Sequence, residues 1–177
     1  MKKTANGLVI VNQEQALKII ENLQKGICLL GDVGIGKTQV FKQAFENKNA
    51  TIIGPMYTAN YISALYNSEG MKGIHEKFKY QLEGRLGLVI DDIGTEVVSS
   101  NYGIKIDIIE WLILECYNVR TRIYLTSNLT LTALTKRYGQ RVIDRIKETT
   151  YVVVLEGKNY REENYANSEV ELEKLLN

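Results

Sequence analysis

The sequence is poor in residues that interrupt, cross-link or strongly charge a chain. It holds one proline, Pro55, so long periodic segments run uninterrupted. Its two cysteines, Cys28 and Cys116, lie inside the apolar stretches I-C-L-L and L-E-C-Y, where a free cysteine behaves as a small buried hydrophobe. Charge of either sign is not in excess: the net charge of +1 leaves no global field to attract a polyanion, so any nucleic-acid contact must come from a local basic patch. No apolar run approaches the roughly 18 residues of a membrane span, which argues against a membrane partner. The opening M-K-K-T-A-N-G is not followed by an apolar export core, so the expected location is cytoplasmic. Internal repeats and low-complexity linkers are also missing.

What is present is an ordinary folding composition, 45% hydrophobic and 24% charged over 177 residues, enough for one domain with an adequate core. The expected division is a single core over residues 1–163 and an acidic, helix-prone tail over 164–177. Asn12 caps an amphipathic helix in which Ala16, Ile19, Ile20 and Leu23 recur at helical spacing. A first strand over Ile27 to Leu30 follows, then a helix from about Lys37 to Phe45 and a strand near Ala50 to Ile53, stopped by Gly54 and Pro55. Helical patterning covers Tyr57 to Leu65 and Gly73 to Leu82. The third strand, L-G-L-V-I at Leu86 to Ile90, is wholly apolar, as in a strand covered on both faces. A long helix over Ile104 to Tyr117, a fourth strand over Arg122 to Thr126, two short helices over Leu131 to Arg137 and Gln140 to Lys147, and a fifth strand over Tyr151 to Leu155 complete the pattern. Strands separated by helices imply an α/β fold with a parallel sheet and helices on both faces.

Chemistry is concentrated in four places. Gly31 to Thr38 reads G-D-V-G-I-G-K-T and satisfies G-x-x-x-x-G-K-[ST] between a strand and a helix. The glycines Gly31, Gly34 and Gly36 permit backbone angles that turn consecutive N–H groups inward, an anion nest closed by a helix N-terminus. Lys37 is expected to reach the β- and γ-phosphates and the Thr38 hydroxyl to ligate Mg²⁺, so Gly31, Asp32, Val33, Gly34, Ile35, Gly36, Lys37, Thr38 and Gln39 form the expected nucleotide-binding segment. Asp32 is odd there, because a carboxylate beside a triphosphate is repulsive unless it points outward. About fifty residues downstream, the apolar strand runs into Asp91 and Asp92. By itself such a run reads as a turn or helix cap; beyond a phosphate loop it reads as a metal partner, Asp91, and a water-activating base, Asp92.

The third place is Y-L-T-S-N, where Asn128 reads either as a turn residue or as a group that orients the attacking water. The fourth is R-Y-G-Q-R-V-I-D-R, with Arg137, Arg141 and Arg145 at helical spacing that Gly139 is expected to break. Such arginines are ordinarily solvated, but one placed after the fourth strand can also stabilise transition-state charge in a neighbouring subunit.

In order and spacing these motifs resemble the AAA+ superfamily of P-loop NTPases, and within it the DnaC/DnaI/IstB group of replicative helicase loaders and transposition ATPases. The resemblance is carried by G-D-V-G-I-G-K-T, L-V-I-D-D-I-G-T-E, L-T-S-N-L-T and R-Y-G-Q-R-V-I-D-R-I with K-N-Y-R behind it, and spans about Gln13 to Arg161. It implies a five-stranded sheet of order 5-1-4-3-2 with no separate lid domain, and ATP bound at a boundary between subunits. By position, Lys37 and Thr38 match Walker A, Asp91 and Asp92 Walker B, Asn128 sensor 1, Arg145 the arginine finger and Arg161 the sensor 2-like arginine. Glu96 also matches a family position, without a physical role to give it, and Arg141 has an interface or structural role as its alternative.

Members of that group carry an N-terminal helical domain that grips the helicase. Here the phosphate loop begins at residue 31, so that module is expected to be missing. In relatives the segment between the second and third strands holds helices that touch DNA. Here it mixes Lys72, Lys77, Lys79 and Arg85 with Tyr57, Tyr61, Tyr66, Phe78 and Tyr80, either a plain amphipathic surface or a surface for stacking single-stranded bases. The resulting expectation is an ATPase of DNA replication that self-associates through its ATP site and engages single-stranded DNA or a replicative helicase. The alternatives are an IstB-like transposition helper acting on duplex DNA and a non-enzymatic nucleotide-binding regulator of a full-length loader.

Overall fold

The computed structural model describes residues 2–21, 25–46, 54–101 and 103–162, together with 165 and 168. In chain order the elements are β1 (Val9–Val11), α1 (Gln13–Glu21), β2 (Gly26–Leu30), α2 (Lys37–Glu46), β3 (Met56–Thr58), α3 (Ala59–Lys77) and α4 (Lys79–Leu82). They continue with β4 (Leu88–Asp91), β5 (Ser99–Asn101), β6 (Ile104–Ile106), α5 (Ile108–Asn118), β7 (Ile123–Ser127), α6 (Leu131–Thr149) and β8 (Thr150–Leu155).

Strands β2, β4 and β7 are buried at every position, as their largely apolar sequences require, and they form the centre of the sheet. Alternation along each strand sorts side chains to two faces. Ile27 and Leu29 of β2 pack with Ala16 and Ile20 of α1 and with Val40, Phe41 and Ala44 of α2. Cys28 and Leu30 pack on the other side with α3, α5 and α6, through Ile62, Leu112 and Ile143 among others. The result is a three-layer α/β fold around a parallel sheet. Both cysteines are buried and free, as expected; burial pushes each thiol up to about 12 and keeps it an inert part of the core.

The expected five-stranded sheet of order 5-1-4-3-2 is corrected to six strands among the described residues, in the order β1-β8-β2-β7-β4-β3. The unexpected strand is β1, which adds outside β8 with Val9 opposite Val153 and Val11 opposite Leu155. Three residues carry too little periodicity to register as a strand; the partner that makes them one lies at the far end of the chain. Strands β8, β2, β7 and β4 follow the expected order, whereas Tyr57 and Thr58, expected to open a helix, belong to β3 at the edge because they pair with Ile90 and Asp91. The strand expected near Ala50 to Ile53 lies outside the described residues, and the described edge strand is β3.

Two further elements differ. Ile104 to Ile106 do not start the helix expected from Ile104 to Tyr117; they pair antiparallel with β5 in a small second sheet. Helix α5 begins only after Asp107, whose carboxylate accepts the Glu110 N–H at 3.2 Å as an N-cap. The pair of short helices expected around Gly139 is present as α6, broken where Gly139 takes φ 81°. Gly70, at φ 63°, breaks α3 in the same way. Of the expected C-terminal tail, only residues 165 and 168 are described.

Candidate active site

All six strands of the main sheet are parallel, so one edge collects their C-terminal ends. There the chain leaves β2 into Gly31–Gly36, leaves β4 at Asp91 and leaves β7 at Asn128. Gly34 and Gly36 have φ of 84° and 92°, in the left-handed region that glycine permits. The space beside Gly36 is also occupied: a Cβ there would lie 2.1 Å from Nε2 of Gln13, which donates to the Ile35 carbonyl at 3.0 Å.

Lys37 begins α2 and turns back over the loop. Its ammonium donates to the carbonyls of Gly31 (2.8 Å) and Asp32 (2.6 Å) and to Oδ1 of Asn128 (2.6 Å). Burial draws its pKa below the usual lysine range, while Asp92, Asp32 and Asp91 oppose that shift. Asp32 is exposed, and its main-chain carbonyl is what Lys37 bonds.

Asn128 joins the loop to the acids. Lysine has only protons to offer, so the amide oxygen must face Lys37; Nδ2 then donates to Oδ1 of Asp92 at 2.6 Å. Thr38 Oγ1 lies 3.0 and 3.1 Å from the two oxygens of Asp91, which is 7% exposed. Thr126, which the sequence reading passed over, fixes both acids. Its hydroxyl donates to Oδ1 of Asp91 at 2.6 Å and accepts the Asp92 N–H at 2.8 Å. This bond holds Asp92 at φ 61°, a left-handed conformation that aspartate tolerates better than most residues. The available signal was alternation: in L-T-S-N, residues 126 and 128 share a face of the strand.

Glu96 acquires a role that is structural. It is 5% exposed; Oε2 accepts the Gly94 N–H at 2.8 Å, and Oε1 accepts from Tyr138 at 2.6 Å and from Arg137 at 3.0 Å. Arg137 also pairs with Asp107. Burial and the bond to Glu96 hold the Tyr138 phenol well above its ordinary range. Together with Thr95 Oγ1 donating to the Asp92 carbonyl (2.9 Å) and Ser127 Oγ to the Ile93 carbonyl (2.7 Å), these contacts clamp the loop after Asp91 onto α6 and β7.

Gly34, Lys37, Thr38, Lys42, Asp92 and Arg161 line a concavity of about 260 Å³ at this edge, with Val33, Gln39 and Asn128 completing its wall. Arg161 arrives on the segment after β8, anchored where Tyr160 N–H donates to the Gly34 carbonyl at 3.0 Å. Arg145 is not brought there within the chain. Its guanidinium stacks 4.4 Å from the Tyr117 ring centroid and pairs with Glu148 at 2.8 Å, near residues that precede the strands. Arg141 is exposed. Of the aromatic and basic residues between β3 and β4, Tyr66 and Phe78 belong to the core. Tyr57 and Tyr61 stack at 5.6 Å with Lys77 over both rings, while Tyr80 is exposed.

Thr38 and Asp91 offer one hydroxyl and one carboxylate, hard oxygen donors that fit Mg²⁺, an ion that completes its shell with phosphate oxygens and water. Among the described residues no group of three or more histidine, cysteine or acidic side chains is arranged to hold a metal by itself.

Three layers, a parallel sheet and a glycine loop opening onto a helix are the architecture of a P-loop α/β fold. Among solved structures the chain is similar to the DnaC helicase loader, with a TM-score of 0.62 and 24% identity over 81% of this chain and 87% of that chain. It is similar to DnaI, with a TM-score of 0.60 and 20% identity over 80% and 81%. It is also similar to DnaA from Aquifex aeolicus bound to AMPPCP, with a TM-score of 0.56 and 21% identity over 81% of this chain and 45% of that one, less than half the DnaA chain. These likenesses establish the shared fold. The sequence matches no family model and no curated protein. No described helix is long and apolar enough to cross a membrane.

Proposed function

We propose that this chain is an ATP-binding and ATP-hydrolysing AAA+ protein of DNA replication, of helicase-loader type, coupling nucleotide to self-association and to engagement of single-stranded DNA or a helicase. The observation that carries this is the hydrogen-bonded chain from Lys37 through Asn128 to Asp92, with Thr38 against Asp91 beside it. A glycine loop kept only for its shape has no use for a cation, an amide and two carboxylates converging on its mouth.

In the proposed reaction the loop N–H groups and Lys37 hold the β- and γ-phosphates, and Lys37 exchanges its carbonyl partners for phosphate oxygens. Bound Mg²⁺, held by Thr38 and through Asp91, would neutralise charge on those oxygens. Asn128 orients a water in line with the γ-phosphorus. Asp92, whose Oδ1 is taken by Asn128, receives the water proton on its second oxygen as the new P–O bond forms and the bond to the β–γ bridging oxygen breaks. Arg145, remote from this site in its own chain, would act on a second copy, which makes turnover depend on association.

The DNA part of the reading is supported by the Tyr57–Tyr61 stack with Lys77 above it, an aromatic platform with a cation of the kind that takes single-stranded bases. One neighbour is the replication initiator DnaA bound to AMPPCP and single-stranded DNA. The test is ATP turnover by the purified chain over a concentration series, alone, with an oligothymidylate and with a duplex of equal length. Turnover that rises with concentration and is stimulated by the single strand supports the proposal. Preference for the duplex turns it toward a transposition helper, and no turnover under any condition leaves a nucleotide-binding regulator.

A further inference from the structure

The opposite edge of the sheet, where the strands begin, carries a second concentration of charge. The register that sets Ile27 opposite Tyr124 places Lys25 opposite Arg122 at the entrances of β2 and β7, about 5 Å apart at strand spacing. Gly26 allows this approach, since a Cβ there would fall 1.7 Å from the Ile123 carbonyl oxygen.

Arg120 joins them from the end of α5. The Thr121 N–H bonds the Cys116 carbonyl at 2.8 Å and the Arg120 N–H bonds the Tyr117 carbonyl at 3.2 Å. These are the two bonds of a Schellman ending, whose left-handed position is ordinarily glycine. Here arginine fills it at φ 60°, a strained choice for the backbone.

Lys25, Arg120 and Arg122 line one concavity of about 500 Å³, walled also by Tyr117, Asn118 and Thr149, and no carboxylate is among its lining side chains. Among the described residues neither Lys25 nor Arg120 forms an ion pair. Glu148, on the same side of the fold, is engaged by Arg145 and by the Tyr117 hydroxyl. Lys25 lies over the Tyr151 ring and Arg122 bonds the Tyr124 hydroxyl, contacts that leave all three positive charges in place; with no carboxylate in the lining they repel one another, and a multivalent anion relieves that repulsion. Two guanidinium forks and an ammonium suit phosphate oxygens, and three cations around one concavity suit a compact multivalent anion.

We propose that this concavity is a second phosphate site, separate from the glycine loop, that takes the di- or triphosphate tail of a nucleotide, either free or presented by a second copy of the chain. It does not depend on hydrolysis at the loop.

The test is calorimetric titration of inorganic tripolyphosphate into the full chain carrying Lys37→Ala, which disables the loop. The expected result is one tripolyphosphate per chain, with affinity falling at least tenfold on adding Arg122→Gln and Arg120→Gly. Arg120→Gly alone relieves the left-handed strain, so it should raise the melting temperature while weakening binding, a combination that misfolding cannot produce. Absence of binding in Lys37→Ala, or an unchanged affinity in the triple variant, overturns the proposal. Oligothymidylate binding that needs Arg120 and Arg122, with no tripolyphosphate bound by Lys37→Ala, also overturns it, in favour of a nucleic-acid backbone. Light scattering with ATP separates the two sources. Binding by Lys37→Ala at constant mass marks free nucleotide. Mixed assemblies of Lys37→Ala with the Arg120→Gly/Arg122→Gln variant mark a tail presented by a second copy. A chain that turned over no ATP would sink the proposed function and leave this measurement intact.

Discussion

Replacing Thr126 by valine removes one hydroxyl while keeping the branched shape of a fully buried strand residue. That hydroxyl donates to Asp91 at 2.6 Å and accepts from the Asp92 N–H at 2.8 Å, so the substitution deprives a buried carboxylate of a donor and orphans a backbone N–H. A hydrogen bond to a charged group contributes about 1.5–3 kcal/mol, and an unsatisfied buried donor costs about 1–3 kcal/mol. The two share one atom and do not add in full, which gives an expected loss of about 2–4 kcal/mol. For a chain of this size each kcal/mol lowers the melting temperature by about 2–4 °C, so Thr126→Val should melt about 4–16 °C below the parent in thermal unfolding. Asp92 would also be released from its φ of 61°, and the base should lose its aim at the water. ATP turnover is therefore expected to fall at least about tenfold, a barrier increase of 1.4 kcal/mol or more. Nucleotide affinity should change much less, because the partners of Lys37 are untouched. A variant that loses less than about 1 kcal/mol and keeps full turnover would refute the reasoning and leave Thr126 as packing.

Three other outcomes are expected. Lys37 has a folded pKa depressed by burial below the ordinary 10.5, so it gives up its proton at lower pH than an unfolded lysine. Its contribution to nucleotide-free stability thus rises as pH climbs through the folded value toward 10.5, while phosphate affinity falls and binding takes up protons. Calorimetry in two buffers of different ionisation enthalpy reads that uptake, and its absence in the alkaline range contradicts the assignment. Arg145→Ala should leave nucleotide affinity unchanged and lower turnover only at concentrations where the chain associates; equal loss at every concentration rules out action on a second copy. Glu96→Ala leaves the Tyr138 hydroxyl and the Gly94 N–H without their acceptor and Arg137 with Asp107 alone, with an expected loss of about 2–4 kcal/mol in chemical unfolding. A loss under about 1 kcal/mol would show that the clamp on the loop after Asp91 is dispensable.

The sequence by itself determined the phosphate-loop pattern and the central strands. Glycines that admit left-handed backbone, a lysine and a threonine at the helix start, and acids at the end of a wholly apolar run are local patterns, and each can be recognised without its partners. The same holds for the break at Gly139, which follows from one residue's backbone freedom. The tertiary structure alone decided where distant partners meet. Val9–Val11 is a strand only because β8 offers an edge, and Ile104–Ile106 leaves the helix only because β5 lies beside it. Asn128, legible as either a turn residue or a site residue, is drawn into the site by bonds to Lys37 and Asp92. Glu96 had no legible role until Tyr138 and Arg137 came to it, and Thr126 none until both acids did. Hydrogen bonds and ion pairs act over a few ångströms, whereas these partners lie tens of residues apart along the chain. Composition and periodicity carry no record of such pairs, and folding is what brings them within reach.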